Sequence, residues 1–217
     1  MAPVNNIIFD FDGTLVDTAP LIVRTMQETI RELKLPERCE KDCRATIGLR
    51  LEDVPAVLWP GVKDMGAAFA QKYRELFDIL KRPLCVQCFP GVIKTLQLLR
   101  SEGVGMAIAS SRSHKSLDEY VEQFGLQDCF GMLIGGDDVE HGKPAPEPVL
   151  TILKGLGWKA GETLTVGDAP VDIQMGRAAG TRTCAVSYGN GTEQELEAAL
   201  PDYIIAEFPA LTALIDN

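Results

Sequence analysis

Four aspartates, two serines and a lysine stand out for where they sit in the sequence. Asp10 and Asp12 close the run IIFDFDGT, in which apolar residues lead straight into two carboxylates one residue apart. Ser110 and Ser111 end the run VGMAIAS, Lys143 follows in GGDDVEHGKPAPEP, and Asp168 ends TLTVGD. Asp172 lies one helical turn beyond Asp168. Side chains alternate along a strand, so Asp10 and Asp12 point the same way. Carboxylates crowded together repel, and some take up protons unless a cation joins them. A hard divalent ion with oxygen ligands meets that need, and Mg2+ suits one or two carboxylates plus substrate oxygens. Mg2+, a lysine and hydroxyl donors together suit a phosphoryl group, whose transfer needs positioning and neutralised charge. Each residue alone has an ordinary role: Asp12-Gly13 as a turn pair, a serine as helix N-cap, Lys143 as a solvated loop lysine, Asp172 in a first helical turn. Ordinary roles account poorly for all of them in this order.

The elements that must carry these residues are legible as patterns. Apolar runs of strand length alternate with amphipathic segments from residue 90 onward: GVIKTLQLLRSEG, VGMAIAS, SLDEYVEQFG, FGMLIGG, EPVLTILKGLG, TLTVGD, VDIQMGRAAG, TRTCAVSYG, TEQELEAAL and DYIIA, with PALTALID predicted as a closing helix. VNNIIFDF supplies a further strand at the start. Strand and helix in alternation predict an α/β fold, a doubly wound parallel sheet covered on both faces. Ligands bind beyond the carboxyl ends of such strands, which is where the aspartates, serines and lysine fall. Between the first strand and residue 90 the pattern changes. Residues 19–34 and 64–81 read as amphipathic helices with no convincing strand, an insert of roughly 65 residues that exceeds an ordinary loop.

Composition narrows the partners. The chain has 217 residues, 46% hydrophobic and 24% charged, enough for a substantial core. Its net charge of −10 argues against nucleic acid. The longest apolar runs are strand-length, too short to span a membrane. MAPVNNIIFD does not read as a secretory signal, so a cytoplasmic location is expected, with reduced thiols. Cys85 and Cys88 form CVQC, which with Cys39 and Cys43 offers four sulfurs, but neither zinc-knuckle glycines nor a thioredoxin-like setting accompanies them. Small apolar side chains are the simpler reading. The oligomeric state is not readable from the sequence.

These residues resemble the motifs of the haloacid dehalogenase superfamily, in particular its phosphatase branch related to phosphoglycolate phosphatases. The four motifs are DFDGT (10–14), Ser110 after GMAIA, Lys143 in GKPAPEP, and GDAPVD (167–172), and the match spans essentially the whole chain. The resemblance implies a Rossmann-like core of residues 1–14 and 83–217 with an α-helical cap of residues 15–82. Asp10 would be the nucleophile that forms an aspartyl-phosphate, and Asp12 the general acid and base. Asp10, Asp12 through its carbonyl, and Asp168 would hold Mg2+, with Asp172 orienting metal-bound water or Lys143. Ser110 and Lys143 would bind phosphoryl oxygens, with Gly13 and Thr14 completing the phosphate loop. TIGLRLEDV (46–54) looks like the cap's specificity loop, making Gly48 and Arg50 candidate substrate contacts. Ser111 and Arg112 stand where phosphoglycolate phosphatases often carry Asn and Lys, and are further candidates.

The expected activity is hydrolysis of a small, phosphoglycolate-like phosphate monoester. Pyrophosphatase and sugar or nucleotide phosphatase are the next readings. A dehalogenase would lack Asp12. Sugar-phosphate mutases usually carry a histidine at the cap entry, where this chain has Ile22. A catalytically silent binding protein would be expected to have lost Asp10, Asp12, Lys143 or Asp168, and all four are present.

Overall fold

The computed structural model describes residues 3–62, 64–81 and 86–215. The run that leads into Asp10 forms β1 (Asn6–Phe9), with Ile7, Ile8 and Phe9 fully buried. A strand apolar on both faces belongs inside a parallel sheet, and β1 lies there. It pairs in parallel with β4 (Gly105–Ala109) on one side and β6 (Thr163–Gly167) on the other. β5 (Met132–Ile134) lies outside β4, and β7 (Arg182–Val186) then β8 (Tyr203–Ile205) lie outside β6. The order is therefore β5-β4-β1-β6-β7-β8. The chain runs outward through β4 and β5, returns to β6, then runs outward through β7 and β8. That reversal opens a crevice between β1 and β6 at their carboxyl ends. Phe9 lies opposite both Ile108 and Val166, so Asp10, Ser110 and Asp168 all leave the sheet just beyond that level.

Alternation along β1 divides the core. Ile7 and Phe9 belong to one cluster with Leu96 and Leu99 of α5 (Val92–Ser101) and Leu117 of α6 (His114–Gln123). Ile8 belongs to another with Val149 and Ile152 of α7 (Glu147–Leu156) and Met175 of α8 (Pro170–Ala178). Helices on both faces thus form the doubly wound sheet expected from the pattern. The chain's last predicted helix is instead a 3-10 helix, Phe208–Leu214. It is seven residues long, and the Thr212 hydroxyl donates to the Pro209 carbonyl (3.0 Å), which draws that carbonyl away from a longer-range helical partner.

Between β1 and α5 lie α1 (Ala19–Glu32), α2 (Glu40–Arg44), α3 (Val54–Leu58) and α4 (Gly66–Leu80). Phe69, Tyr73 and Phe77 are buried along one stripe of α4, and Leu21, Ile22, Met26 and Ile30 are buried on α1. The stretch is not free of strand. β2 (Val16–Asp17) pairs antiparallel with β3 (Gln87–Cys88), Val16 opposite Cys88. Two-residue strands carry no readable alternation, which is why the sequence hides this ribbon. The expected cap boundary at residue 82, and Cys85 of CVQC, lie outside the described residues. No helix among the described residues is long and apolar enough to cross a membrane.

Candidate active site

Asp10 is still held by the sheet, its N–H donating to the Val166 carbonyl (2.8 Å), while its carboxyl is buried. Lys143 reaches it from the loop after β5. That loop is braced by Glu147, whose carboxylate accepts the N–H groups of Glu140 (2.9 Å) and His141 (2.8 Å). The Lys143 ammonium pairs with Asp10 Oδ1 and, at 2.7 Å, with Asp172 Oδ1. Asp172 is fixed by the Ala169 N–H, which donates to its Oδ2 (3.0 Å).

Asp168 follows β6 and is pinned from two directions. Its Oδ2 accepts the Asn190 backbone N–H (2.7 Å) and side-chain amide (2.9 Å), and its Oδ1 accepts the Thr14 hydroxyl (3.2 Å). Gly13 makes this approach possible. Its φ is +89°, and an added Cβ would sit 2.1 Å from Asp168 Oδ2 and 2.2 Å from Asn190 Nδ2. A side chain there is excluded by backbone conformation and by space.

Carboxylate oxygens of Asp10, Asp168 and Asp172 lie within 4.8 Å of one another, all buried. Among the described residues, Lys143 is the one ammonium paired with these acids. Burial pushes the Asp10 carboxyl well above its ordinary value, against the pull of Lys143 and with added repulsion from Asp172 and Asp168. Burial and then Asp172 push Asp168 up to about 7. For Lys143, burial works against the charge, but Asp10 and Asp172 outweigh it and hold the ammonium above its ordinary value. A divalent ion would remove the deficit of positive charge, and an all-oxygen donor set is the one Mg2+ takes. The residues fit that ion.

Asp12 points elsewhere. Thr18 donates its hydroxyl to Asp12 Oδ1 (2.6 Å), leaving helix α1 without a side-chain cap. Arg112 donates to both carboxylate oxygens, with Nε 3.1 Å from Oδ2. The Arg112 guanidinium also lies over the rings of Tyr120 (4.8 Å), Phe77 (5.1 Å) and Phe11 (5.7 Å), so its apolar and charged surfaces are both covered. Arg112 precedes α6 and its side chain is buried, held by Asp12 where the sequence made it a candidate substrate contact.

The remaining predicted residues are spread around this centre. The Ser110 hydroxyl accepts the Arg112 N–H (3.2 Å). Ser111 donates to the Gly48 carbonyl (2.7 Å), tying the loop before α3 to the sheet edge. Arg50 lines the cavity above the site, yet its guanidinium donates to the carbonyls of Gly136 (2.8 Å), Val139 (2.5 Å) and Glu140 (2.7 Å). It grips the loop that carries Lys143. Gly142 leaves room for this, since a Cβ there would lie 2.6 Å from Arg50 Nε. Residues that sequence reasoning passed over include Thr18, Asn190 and Tyr188, whose hydroxyl donates to the Thr14 carbonyl (2.8 Å). Asn190 and Tyr188 stand in SYGNGT, directly past the carboxyl end of β7, so the rule that found the aspartates also pointed there.

The likeness to known proteins agrees with this arrangement. The haloacid dehalogenase-like hydrolase family matches residues 7–186. A relative in Dickeya dadantii, named "Probable phosphatase IndB", is 36% identical over 205 residues, covering 93% of this chain and 89% of that protein. A phosphoglycolate phosphatase of Aquifex aeolicus is 32% identical, covering 97% of this chain and 96% of its own. The pyrophosphatase PpaX of Halalkalibacterium halodurans is also 32% identical, covering 98% and 97%. A crystal structure of a haloacid dehalogenase-like hydrolase from Bacteroides fragilis superposes with a TM-score of 0.89 at 30% identity, covering 95% of this chain and 99% of that one. The chain belongs to the haloacid dehalogenase-like hydrolase family, and within it is a phosphatase.

Proposed function

We propose that this phosphatase hydrolyses a small phosphate monoester with Mg2+, through an aspartyl-phosphate on Asp10. The observation that carries the reading is the buried set of Asp10, Asp168 and Asp172 around a single Lys143 at the sheet's switch point. Asp10 attacks phosphorus; the bond from phosphorus to the leaving oxygen breaks, and Asp12 supplies that oxygen with a proton. Asp12 then takes a proton from water, whose oxygen attacks phosphorus, and the Asp10–phosphorus bond breaks to release phosphate. Lys143 holds Asp10 in place and balances charge on the phosphoryl oxygens, and Ser110 offers a hydroxyl beside them. Asp10, Asp168 and Asp172, with the Asp12 carbonyl, are the groups that would hold Mg2+, which when bound would neutralise phosphoryl charge. Thr14, Asn190 and Asp172 set the acids' positions. Residues 15–82 act as a cap that closes over the site, excluding water. The test is phosphate release from a panel of monoesters and pyrophosphate, with Mg2+ and with chelator; metal-dependent release is expected, and none from any compound would overturn the reading.

A further inference from the structure

The cavity above the aspartates is about 570 Å³. Phosphoglycolate and pyrophosphate each have about nine non-hydrogen atoms. Even at the ~30 Å³ that one water takes in the liquid, either would fill roughly 270 Å³, under half of that space. The space left over is walled by Ile22 and Met26 of α1, Ile47, and Tyr73 and Phe77 of α4. All five are nine-tenths or more buried, and the Tyr73 and Phe77 rings are stacked with centroids 5.7 Å apart.

The cations along the same wall are engaged. Arg112 is held by Asp12, Arg50 by three carbonyls, Arg74 by Glu52 (2.7 Å), and Lys81 by Asp78 (2.8 Å) and Glu119 (2.7 Å). Of the described cations lining the cavity, Lys115 alone is held by neither a carboxylate nor a carbonyl, and it is exposed. A second anionic group, such as the carboxylate of phosphoglycolate or the second phosphate of pyrophosphate, would lie against a wall of uncharged side chains, with the exposed Lys115 as the one unheld cation among the described residues that line the cavity. One polar group does face this wall unengaged: the Tyr73 hydroxyl has no hydrogen-bond partner among the described residues, although the side chain is 6% exposed.

The geometry points to a leaving group that is an uncharged alcohol carrying a ring. Its apolar face lies against Ile47, Tyr73 and Phe77, and a neutral polar atom meets the Tyr73 hydroxyl. This assignment rests on the phosphatase reading and names the substrate class for the same site.

The experiment measures kcat/KM of the full chain with Mg2+ on benzyl phosphate, a nucleoside 5′-monophosphate, phosphoglycolate and pyrophosphate. Benzyl alcohol and glycolate both leave through a primary carbon, so their comparison isolates ring from carboxylate. At least one ring ester is expected to exceed both phosphoglycolate and pyrophosphate by about tenfold or more, since only the ring buries apolar surface on this wall. Ile47→Asn, which puts an amide in the wall, is expected to cut the ratio of benzyl phosphate to phosphoglycolate several-fold, each variant serving as its own control for folding. Tyr73→Phe is expected to raise KM for the nucleotide more than for benzyl phosphate. Phosphoglycolate or pyrophosphate as the best substrate would overturn this assignment while leaving the phosphatase intact. No release from any compound would remove the phosphatase reading and this one with it.

Discussion

Replacing Arg50 with alanine separates a residue that closes the cavity from one that reads the substrate. Three N–H···O=C bonds tie its guanidinium to Gly136, Val139 and Glu140. At about 1 kcal/mol net apiece they contribute about 3 kcal/mol to docking the 46–50 loop on the sheet edge. The Nε–H is buried without a partner, which offsets about 1 kcal/mol of that. The remaining ~2 kcal/mol corresponds to a roughly 25-fold change in the closing equilibrium. If turnover runs through the closed form, Arg50→Ala loses about 25-fold in kcat/KM, by the same factor for every substrate. Arg50→Lys recovers only part, because an ammonium is a point charge and cannot span three carbonyls as the fork does. Added guanidinium ion should restore part of the alanine variant's rate. The assay is steady-state phosphate release from one substrate with an anionic leaving group and one with an uncharged leaving group. A loss confined to the anionic substrate would refute the clasp and make Arg50 a substrate contact.

Other predictions follow from the carboxylate cluster. Asp168 is pushed from 3.8 to about 7, so the folded protein binds a proton more tightly than the unfolded chain does. Its stabilising contribution is present below pH 4 and is lost as pH rises towards 7, at most about 4 kcal/mol, and Asp10 acts in the same direction. In chelator, the unfolding midpoint should therefore fall between pH 5 and pH 7.5, and Mg2+ should raise it more at the higher pH; a midpoint that rises in chelator would contradict this. Lys143→Met leaves buried acids uncompensated and should cost about 3–5 kcal/mol at neutral pH by denaturant titration, with turnover lost. Asn190→Ala frees one side of Asp168 and should weaken Mg2+ binding by about 10- to 100-fold, read by calorimetry on the metal alone. Gly13→Ala forces a Cβ onto Asp168 and should abolish Mg2+-dependent stabilisation; near-wild-type thermal shifts would show that the loop yields.

What the sequence disclosed, and what it hid, follows from length and distance. β1, β4, β6 and β7 were legible because continuous apolar runs ended in turn residues, and α1 and α4 because their buried residues recur at helical spacing. Asp10, Ser110 and Asp168 were legible because each stands directly past a strand, Asp172 because it lies one helical turn further on, and Lys143 because it falls in the loop that follows β5. The β2–β3 ribbon was not, since two residues show no period. Strand order was not, since which strand neighbours β1 is fixed by packing across the sheet. The commitments of Arg50, Ser111 and Arg112 were hidden for another reason. Each depends on contacts between residues far apart in the chain, 86 to 90 positions for Arg50, 63 for Ser111 and 100 for Arg112. Residue type alone offers an arginine near a phosphate; it does not say that a carboxylate or three carbonyls already occupy it.

The central claim is that Asp10 becomes phosphorylated on the way to free phosphate. The most direct test compares wild type with Asp10→Asn on the best monoester, with Mg2+, following phosphate release in the steady state and acid-stable phosphoryl transfer to protein in rapidly quenched samples. The account predicts transient labelling of wild type that is lost when Asp10 is changed, together with loss of release in a variant that keeps its fold by circular dichroism. Substantial phosphate release by pure, folded Asp10→Asn would contradict it.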